Sequence, residues 1–241
     1  MMKNKDPLTL ILSPEGRGEN PSPLRGEGNR VRGNKIKYNK CDMKIVLATN
    51  NKDKIREIKR ILSSLQAEIL TLEDFPGFPK VEETGKTLEQ NAILKAESIY
   101  QFTGLPSVAD DSGLEVDALG GAPGVLSSRF AGEHCSYQDN NRKLLTLMRN
   151  IPWEKRKAKF VCVVALAIDH DHIVTVRGEV YGIIALEERG ANGFGYDPVF
   201  YLPQLNKTFA QLSLEEKNEI SHRAQAFQKA KELILKGFLG D

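Results

Sequence analysis

From residue 43 onward, short apolar runs alternate with longer segments in which apolar residues recur at helical spacing. Residues 44–49 form a β-branched apolar run, which is typical of a buried strand, and residues 55–65 carry charged residues between regularly spaced apolar ones. The polar stretch 50–53 between them supplies turn formers and helix caps. A strand, a polar loop and an amphipathic helix in this order predict an α/β fold.

The same two periods predict seven further elements. They are helices over residues 87–102, 137–150 and about 222–235, and strands over residues 106–109, 159–168, 173–180 and 199–201. The two longest strands follow one another directly, so we expect them to form a hairpin. A glycine-containing loop, residues 190–198, separates this hairpin from the last predicted strand.

Residues 1–42 differ from this pattern. Between positions 13 and 33 they are crowded with Gly, Pro, Arg and Glu, and such a segment buries too little apolar surface to offset the entropy of ordering it. We predict that residues 1–42 are a disordered extension, or an artefact of a gene model in which Met43 is the natural start. Residues 43–241 then form the folded domain.

The composition of the chain excludes several kinds of partner and site. The 241-residue chain is 40% hydrophobic and 27% charged, as in ordinary soluble proteins, and its net charge of +2 is too small to indicate a nucleic-acid or membrane partner. No apolar run approaches the roughly 18 residues of a membrane helix. The three cysteines are scattered without a CxxC pair, which argues against a disulfide framework or a zinc site and fits a reducing cytoplasm.

The polar turn after the first strand is a candidate phosphate site. Ligands of open α/β sheets bind at the carboxyl ends of strands, and free N–H groups at the start of a helix attract anions. Thr49 and Asn51 can hydrogen-bond phosphate oxygens, and Lys52 or Lys54 can add positive charge. A plain capped turn is the alternative interpretation.

Two acidic pairs are candidate ligands for Mg²⁺, which prefers oxygen donors. Two glutamates (82–83) precede the second predicted helix, on which Asn91 and Lys95 share one face. Asp110 and Asp111 follow a predicted strand, where adjacent side chains point in opposite directions. One aspartate can therefore act on a metal or water while the other holds the turn. The alternative to a metal site is a solvated acidic loop at residues 82–83 and an Asx turn at residues 110–111.

Two later segments are candidates for binding a nucleobase. In the loop before the last strand, Phe194 and Tyr196 can stack on a base while the flanking glycines allow close backbone approach. Lys217 precedes the final helix, and His222 and Arg223 lie in its first turn, where cations oppose the helix dipole. A negatively charged or oxo-bearing ligand would account for them. The alternative for the loop is a turn whose aromatic residues pack in the core. The alternative for Lys217, His222 and Arg223 is the start of a surface helix.

Two common catalytic motifs are absent from the sequence. No G-x-x-x-x-G-K-[ST] occurs, which excludes a Walker-type phosphate loop, and no G-x-S-x-G occurs, which excludes a serine elbow. The Asp-His-Asp-His run at residues 169–172 has metal-ligand spacing, but it falls between two predicted strands and indicates a hairpin turn.

Together the motifs resemble the inosine/xanthosine triphosphate pyrophosphatases, a family that removes deaminated purine nucleotides. The matching stretches, in the family's order, are residues 47–54, 82–87 with 91–96, 109–117, 119–124, 193–198, and 215–217 with 220–223. They cover essentially all of residues 43–237. Residues 1–42 have no counterpart in the family pattern, and Asn50 stands where the family usually carries a small residue.

The resemblance implies a mixed α/β fold in which a twisted sheet, flanked by helices, forms the floor of a nucleotide-binding cleft between two lobes. It also implies a cytoplasmic homodimer that uses Mg²⁺ and has neither a membrane nor a stable nucleic-acid partner. The implied reaction is hydrolysis of ITP, dITP or XTP to the monophosphate and pyrophosphate.

Site residues follow from the same resemblance. Asp111 is the expected general base and a metal ligand, with Glu82 as the second ligand and Glu83 and Asp110 as further candidates. The residues expected to bind the substrate are Thr49, Asn50, Asn51, Lys52, Asp53, Lys54, Ser112, Phe194, Gly195, Tyr196, Asp197, Lys217, His222 and Arg223.

Two alternative functions remain open. One is a Maf-like pyrophosphatase for modified nucleotides, against which the loop 193–198 and the Ser-His-Arg run 221–223 argue. The other is a nucleotide sensor without catalysis, which would not need the four acidic residues at positions 82, 83, 110 and 111. A nucleic-acid binder is disfavoured because glutamates partly balance the basic residues of the first 42 positions.

Overall fold

The computed structural model describes residues 43–169 and 172–239. The predicted extension 1–42 lies outside the described residues, and so does the centre of the predicted 169–172 turn. In the part of the chain that is described, no helix is long and apolar enough to cross a membrane.

Seven strands and five helices make up the described domain, together with short 3₁₀ turns. The strands are β1 (Lys44–Leu47), β2 (Glu68–Thr71), β3 (Ser107–Val116), β4 (Lys157–Ala167), β5 (Ile173–Ile184), β6 (Phe200–Leu202) and β7 (Lys207–Thr208). The helices are α1 (Lys52–Ile61), α2 (Leu88–Thr103), α3 (Tyr137–Leu147), α4 (Leu214–Ile220) and α5 (His222–Leu239).

The strands form one mixed sheet in the order β2-β1-β3-β4-β5-β6-β7. Strand β1 runs parallel to β2 and β3, whereas all pairs from β3 to β7 are antiparallel. The predicted hairpin is the β4–β5 pair, which is in register from Lys157↔Ile183 to Ala167↔Ile173. The predicted mixed α/β fold is thus confirmed.

Helices cover both faces of the central strands. On one face, α1 and α5 pack through residues such as Ile58 and Phe227 against Leu47 and Val164. On the other face, α2 contributes small residues, among them Ala96, to a second core cluster. Alanines on a helix allow it to lie close to the sheet, so the sheet residues beneath α2 are almost completely buried.

Strand β3 is longer than the sequence predicts. The predicted strand ends at residue 109, but the observed one continues through Asp110 and Asp111 to Val116, with Asp111 opposite Val163 of β4. A run of polar side chains does not end a strand when the ladder of backbone hydrogen bonds continues and each side chain finds partners. The two aspartates therefore lie in the middle of the sheet and not at its edge.

Polar side chains cap the helices that border the site. Asn51 is the N-cap of α1 and accepts hydrogen bonds from the N–H groups of Asp53 and Lys54 at 3.0 and 3.1 Å. Ser221 accepts from the Ala224 N–H at 3.1 Å, as expected for the start of α5. These caps fix where each helix begins, and so which residues face the cavity between them.

Candidate active site

A cavity of about 620 Å³ lies beside β1 and β3 and the starts of α1 and α5. It collects most of the residues that the sequence indicated. Those that line it are Thr49, Asn50, Asn51, Lys54, Asp111, Ser112, Phe194, Gly195, Tyr196, Asp197, Lys217, His222 and Arg223. Residues as far apart in sequence as Thr49 and Arg223 therefore meet at one site.

Three predicted residues lie away from this cavity. Lys52 and Glu82 are exposed, and neither lines the cavity. Asp53 lines a separate cavity of about 490 Å³ and lies 3.6 Å from the Arg56 guanidinium. Of the two adjacent glutamates, it is Glu83 that lines the large cavity.

At one end of the cavity, an ammonium group joins two carboxylates. The Nζ of Lys95 lies 3.0 Å from Glu83 Oε1 and 3.1 Å from Asp111 Oδ1. Arg129 approaches the other oxygen of Glu83 at 3.9 Å. Asn91 donates a hydrogen bond from its amide to Asp111 Oδ2 at 3.3 Å. Helix α2 thus presents two donors, one turn apart, to the same aspartate.

The carboxylates of Asp111 and Glu83, which share Lys95, have opposite pKa shifts. Burial and the nearby Glu83 charge raise the pKa of Asp111, although Lys95 and Lys54 oppose them. Burial also acts to raise the pKa of Glu83, but the charge and hydrogen bond of Lys95 outweigh it and lower that pKa. A carboxylate whose proton affinity is raised, next to one that stays ionised, suits the role of general base.

Asp110 lies on the opposite face of β3 and is held by cations. Its Oδ2 is 2.9 Å from Lys54 Nζ, 3.6 Å from Arg223 Nε, and accepts a hydrogen bond from Ser112 Oγ at 2.9 Å. Burial alone would raise the pKa of Asp110, but these cations, with Lys95, lower it well below its usual range. Asp110 is therefore a permanent anion that fixes Lys54 and Arg223 in place.

At the other end of the cavity, four buried charges alternate in sign. Glu57 of α1 lies 2.8 Å from Lys217 Nζ and 2.6 Å from Arg223 Nη1, and Lys217 also lies 2.5 Å from Asp197 Oδ2. All four side chains are at most 3% exposed. Buried charges are tolerated only when they are paired in this way. The network holds two cations at the wall of the cavity.

An aromatic ring covers these cations. The ring centroid of Phe194 lies 4.8 Å from Lys217 Nζ and 5.4 Å from Arg223 Cζ, and 6.0 Å from the ring of Tyr137. His222 stacks on Phe160 with 4.6 Å between ring centroids. Burial, with the positive charges of Arg223 and Lys217, lowers the pKa of His222 well below its ordinary value. This wall offers stacking surface together with neutral and charged donors.

Tyr196 has a different environment from Phe194. It is 4% exposed, and its hydroxyl donates a hydrogen bond to the Ser127 carbonyl at 2.9 Å. Its side chain therefore anchors the loop. Gly193 has a φ of 73°, and a Cβ there would overlap the Asp197 carboxylate. Glycine at this position lets the loop curl around Asp197, which accepts a hydrogen bond from the Phe194 N–H at 2.9 Å.

The sequence patterns did not indicate several residues near the cavity, among them Glu57 and Tyr137. Glu57 looked like one charge among several on an amphipathic helix, yet it lies three residues after Lys54 and next to Ile58, on the buried face of α1. Tyr137, the first residue of α3, accepts a hydrogen bond from Asn51 Nδ2 at 3.3 Å. The position of Glu57 on the apolar face was a usable signal, whereas nothing local marked Tyr137.

The carboxylates of Asp111 and Glu83 fit the ligand preferences of Mg²⁺. In the described residues, no group of three or more His, Cys, Asp or Glu side chains could hold a metal ion by itself. Mg²⁺ commonly takes only one or two carboxylates from the protein and completes its shell with water and substrate phosphates. Asp111 and Glu83, which share one ammonium at the cavity wall, meet that requirement.

Known proteins resemble this chain over its described domain. A sequence model of the Ham1 family matches residues 45–233. A protein of Desulforamulus reducens named dITP/XTP pyrophosphatase is 50% identical over 192 residues, which are 80% of this chain and 96% of the relative. A Geobacter sulfurreducens protein of the same name is 49% identical over 197 residues, covering 82% and 96%.

Solved structures agree with the sequence match. A HAM1 protein from Coxiella burnetii is 41% identical, with a TM-score of 0.74, and covers 80% of this chain and 98% of its own. The Staphylococcus aureus Ham1 protein is 43% identical, with a TM-score of 0.72, and covers 79% and 97%. The family-model match, the sequence identities and the TM-scores lead to one assignment, and this chain belongs to the Ham1 family.

Proposed function

We propose that this protein hydrolyses deaminated purine nucleoside triphosphates, such as ITP, dITP and XTP, to the monophosphate and pyrophosphate. The observation that carries the proposal is the pairing of two chemistries in one cavity. Asp111 and Glu83 line the same cavity as Arg223, Lys217 and the Phe194 ring. The activity named for the relatives, dITP/XTP pyrophosphatase, supports the same conclusion.

Asp111 acts as the general base that takes a proton from the attacking water. Its raised pKa suits this role, since a base is most effective when its proton affinity is close to the working pH. Lys95 holds Asp111 Oδ1 from one side at 3.1 Å, so the carboxylate keeps a fixed direction toward the cavity. Water attack on a phosphorus releases pyrophosphate directly and needs no covalent intermediate.

Mg²⁺ is the proposed cofactor, with Asp111 and Glu83 as its protein ligands and Glu82 as a further carboxylate in the same loop. When bound, the ion neutralises the triphosphate and stabilises charge on the leaving pyrophosphate. Lys95 contributes positive charge at the same end of the cavity, and its pKa is raised because Asp111, Asp110 and Glu83 outweigh its burial. The lysine therefore remains charged throughout.

The start of α1 receives the triphosphate. Thr49, Asn50 and Asn51 line the cavity at the N-terminus of this helix, and Lys54 extends into it from the first turn. Helix N-termini attract phosphate through free N–H groups and the helix dipole. Lys52 and Asp53 do not line the cavity, and the Asp53 N–H donates to the Asn51 cap, so these two residues add no direct contact to the cavity.

Selection of the base rests on hydrogen-bond donors at the opposite end. His222 Nδ1 is buried and has no hydrogen-bond partner in the described residues, and the Arg223 guanidinium also lines the cavity. The 6-oxo group of hypoxanthine or xanthine can accept from such donors, whereas the 6-amino group of adenine cannot. Leaving buried polar groups unpaired can cost a competing substrate a factor on the order of 10⁴. Guanine shares the oxo group, so its 2-amino group is excluded by the shape of the cavity.

Pyrophosphate release from ITP, XTP, GTP, ATP and dUTP, with and without Mg²⁺, tests the proposal. We expect metal-dependent release that is largely confined to ITP and XTP. Release from every triphosphate would retain the chemistry but refute the base selection. A methylated pyrimidine triphosphate added to the panel tests the Maf-like alternative, which predicts release from that nucleotide and none from ITP or XTP. Binding of ITP without any release would favour the nucleotide sensor.

The remaining expectations concern the assembly and its setting. We propose a homodimer in the cytoplasm, without a stable nucleic-acid partner. Cys135 and Cys162 are free thiols, as a reducing compartment favours. Light scattering on the purified protein tests the dimer, since a monomeric mass at micromolar concentration would contradict it.

A further inference from the structure

Asn91 connects the proposed general base to the acidic loop that precedes α2. Its side chain is fully buried, at 0% exposure. The amide Nδ2 donates a hydrogen bond to Asp111 Oδ2 at 3.3 Å, and Oδ1 accepts from the Gly85 N–H at 2.8 Å. One side chain therefore contacts both the strand that carries Asp111 and the loop that carries Glu83.

The chemistry of the two neighbours fixes the direction of this amide. A backbone N–H can only donate, so the atom facing Gly85 must be an acceptor, and an ionised carboxylate only accepts, so the atom facing Asp111 must be a donor. Asparagine supplies both from one short side chain. Aspartate would supply only acceptors, and alanine would supply neither.

Asp111 is consequently held at both of its oxygens. Oδ1 contacts Lys95 at 3.1 Å, and Oδ2 receives the Asn91 hydrogen bond. With a different donor on each oxygen, the carboxylate cannot rotate freely about its last torsion. Each oxygen has a further lone pair, which is free to meet a water or a cation from the cavity.

The contact with Gly85 is equally close. A Cβ added at position 85 would lie 2.5 Å from Asn91 Oδ1 and 2.8 Å from Gln90 Cβ, closer than van der Waals contact allows. A glycine is required here because the loop backbone lies directly against the asparagine. The distance between the loop and strand β3 is thereby set by the length of the Asn91 side chain.

We propose that Asn91 is a positioning residue for the reaction: it fixes the direction of the Asp111 carboxylate and its spacing from the loop of Glu83. This inference rests on the proposed pyrophosphatase activity. A displacement of about 1 Å in a catalytic group can cost on the order of 10²-fold in rate. Asn91 should therefore affect the turnover step much more than the binding of nucleotide.

Asn91→Asp is the main test, because it keeps the size of the side chain and the acceptor for Gly85 but places an oxygen against Asp111 Oδ2. We expect kcat for ITP to fall about 100-fold while KM stays within about threefold, as for an interaction that matters in the transition state. Binding of ITP without divalent metal, measured by calorimetry, should match the wild type. A merely structural role would weaken binding and turnover together.

Gln90→Ala is the matched control. Gln90 accepts a hydrogen bond from the Lys86 N–H at 2.7 Å, so this variant also removes a contact between α2 and the same loop, but Gln90 is exposed and does not touch Asp111. Its kcat should remain within about twofold of the wild type. Gly85→Ala is a second variant that disturbs Asn91 from the loop side without adding a charge. It should lower kcat about tenfold, and its effect should not add to that of Asn91→Asp.

Three outcomes would overturn the inference. One is an Asn91→Asp kcat no lower than that of Gln90→Ala, and another is a proportional loss of metal-free ITP binding. If Asn91→Asp does not fold, a Gly85→Ala protein with normal kcat would overturn it as well. These results differ from failure of the proposed function, in which the wild type itself would release no pyrophosphate from ITP.

Discussion

At the scale of single residues, two adjacent aspartates have opposite properties because they lie on opposite faces of β3. Asp110 is surrounded by Lys54 and Arg223, whereas Asp111 shares Lys95 with a second carboxylate, Glu83. The charged form of Asp110 is therefore stabilised, and that of Asp111 is disfavoured. One aspartate maintains the structure and the other is available for proton transfer.

We predict that substituting these two aspartates separates activity from stability. Asp111→Asn should lower kcat for ITP by at least about 10²-fold, because the general base is lost, with little change in melting temperature. Asp110→Asn should lower the free energy of unfolding by about 3 kcal/mol, because two buried cations lose their anion. Steady-state kinetics and urea unfolding measure these effects. Normal turnover by Asp111→Asn would remove Asp111 from the role of base.

Glu57 is a buried carboxylate of α1 that anchors two cations of the cavity wall. It pairs with both Lys217 and Arg223, and these cations, through charge and hydrogen bonds, overcome its burial and lower its pKa. We predict that Glu57→Gln raises KM for ITP about tenfold, equivalent to about 1.4 kcal/mol, because the two cations lose their shared anchor. Glu215→Gln is the control, since Glu215 is exposed and pairs with the exposed Arg60 at 3.6 Å. Equal effects of both variants would contradict the prediction.

At the scale of elements, α5 lies so close to β5 that the strand needs a glycine. A Cβ at Gly178 would overlap the carbonyl oxygen of His222 and lie 2.7 Å from the Ala226 nitrogen. The close contact places the first turn of α5, with His222 and Arg223, beside the cavity. Side chains of α5 also cover the free edge of β5, where Lys229 donates to the Arg177 carbonyl at 2.7 Å.

We predict that Gly178→Ala displaces α5 and impairs nucleotide binding. The extra methyl group should cost about 1–3 kcal/mol of unfolding free energy, as in other overpacked sites, and should raise KM for ITP because the donors of α5 move. Val174→Ala, at an exposed position of the same strand, is the control. Thermal melts and kinetics on both proteins measure the effect, and unaltered values for Gly178→Ala would show that α5 has room to shift.

A buried arginine joins three elements beyond the cavity. Arg156 is 1% exposed, and it donates to the carbonyls of Ile184 and Ala185 at 2.6 and 2.7 Å and to that of Met148 at the end of α3. A cation at a helix C-terminus interacts favourably with the helix dipole. Burial lowers the pKa of Arg156, while the carbonyl oxygens around the guanidinium stabilise its charge. It is a structural connection between α3 and the ends of β4 and β5.

At the scale of the whole molecule, His222 makes stability depend on pH. Its folded pKa is far below 6.5 because of burial and the nearby cations. Below pH 6.5 the unfolded chain therefore binds a proton that the folded chain does not, so stability is full above this pH and falls as the pH decreases. The loss should approach about 1.4 kcal/mol per pH unit until the folded pKa is reached.

We predict that the free energy of unfolding, measured by urea titration, declines between pH 6.5 and pH 5. A His222→Asn protein should lack this decline, because its side chain does not titrate. In both proteins a second decline should appear below about pH 4.5, where the unfolded chain binds protons that Glu57 and Glu83 resist in the fold. An identical slope in the two proteins between pH 5 and 6.5 would refute the assignment to His222.

The sequence by itself determined the α/β class and the order of most elements, but it did not predict β2, β7 or α4. Helical and strand periods are local properties, so α1, the β4–β5 hairpin and α5 could all be predicted from spacing. The motifs occur in the order of a known family, and the match over residues 45–233 confirms that resemblance. Caps such as Asn51 and Ser221 were also predictable, because capping depends on neighbours within one turn.

Only the tertiary structure decided which charged side chains are buried and which groups they pair with. Glu57 and Arg223 are 166 residues apart in sequence and 2.6 Å apart in space, and no local pattern encodes such a pair. For the same reason, the structure placed Glu83 and not Glu82 at the cavity wall and continued β3 through its aspartates. Periodicity reports which face of an element is apolar, whereas the pKa and the partner of a charged group depend on everything that packs around it.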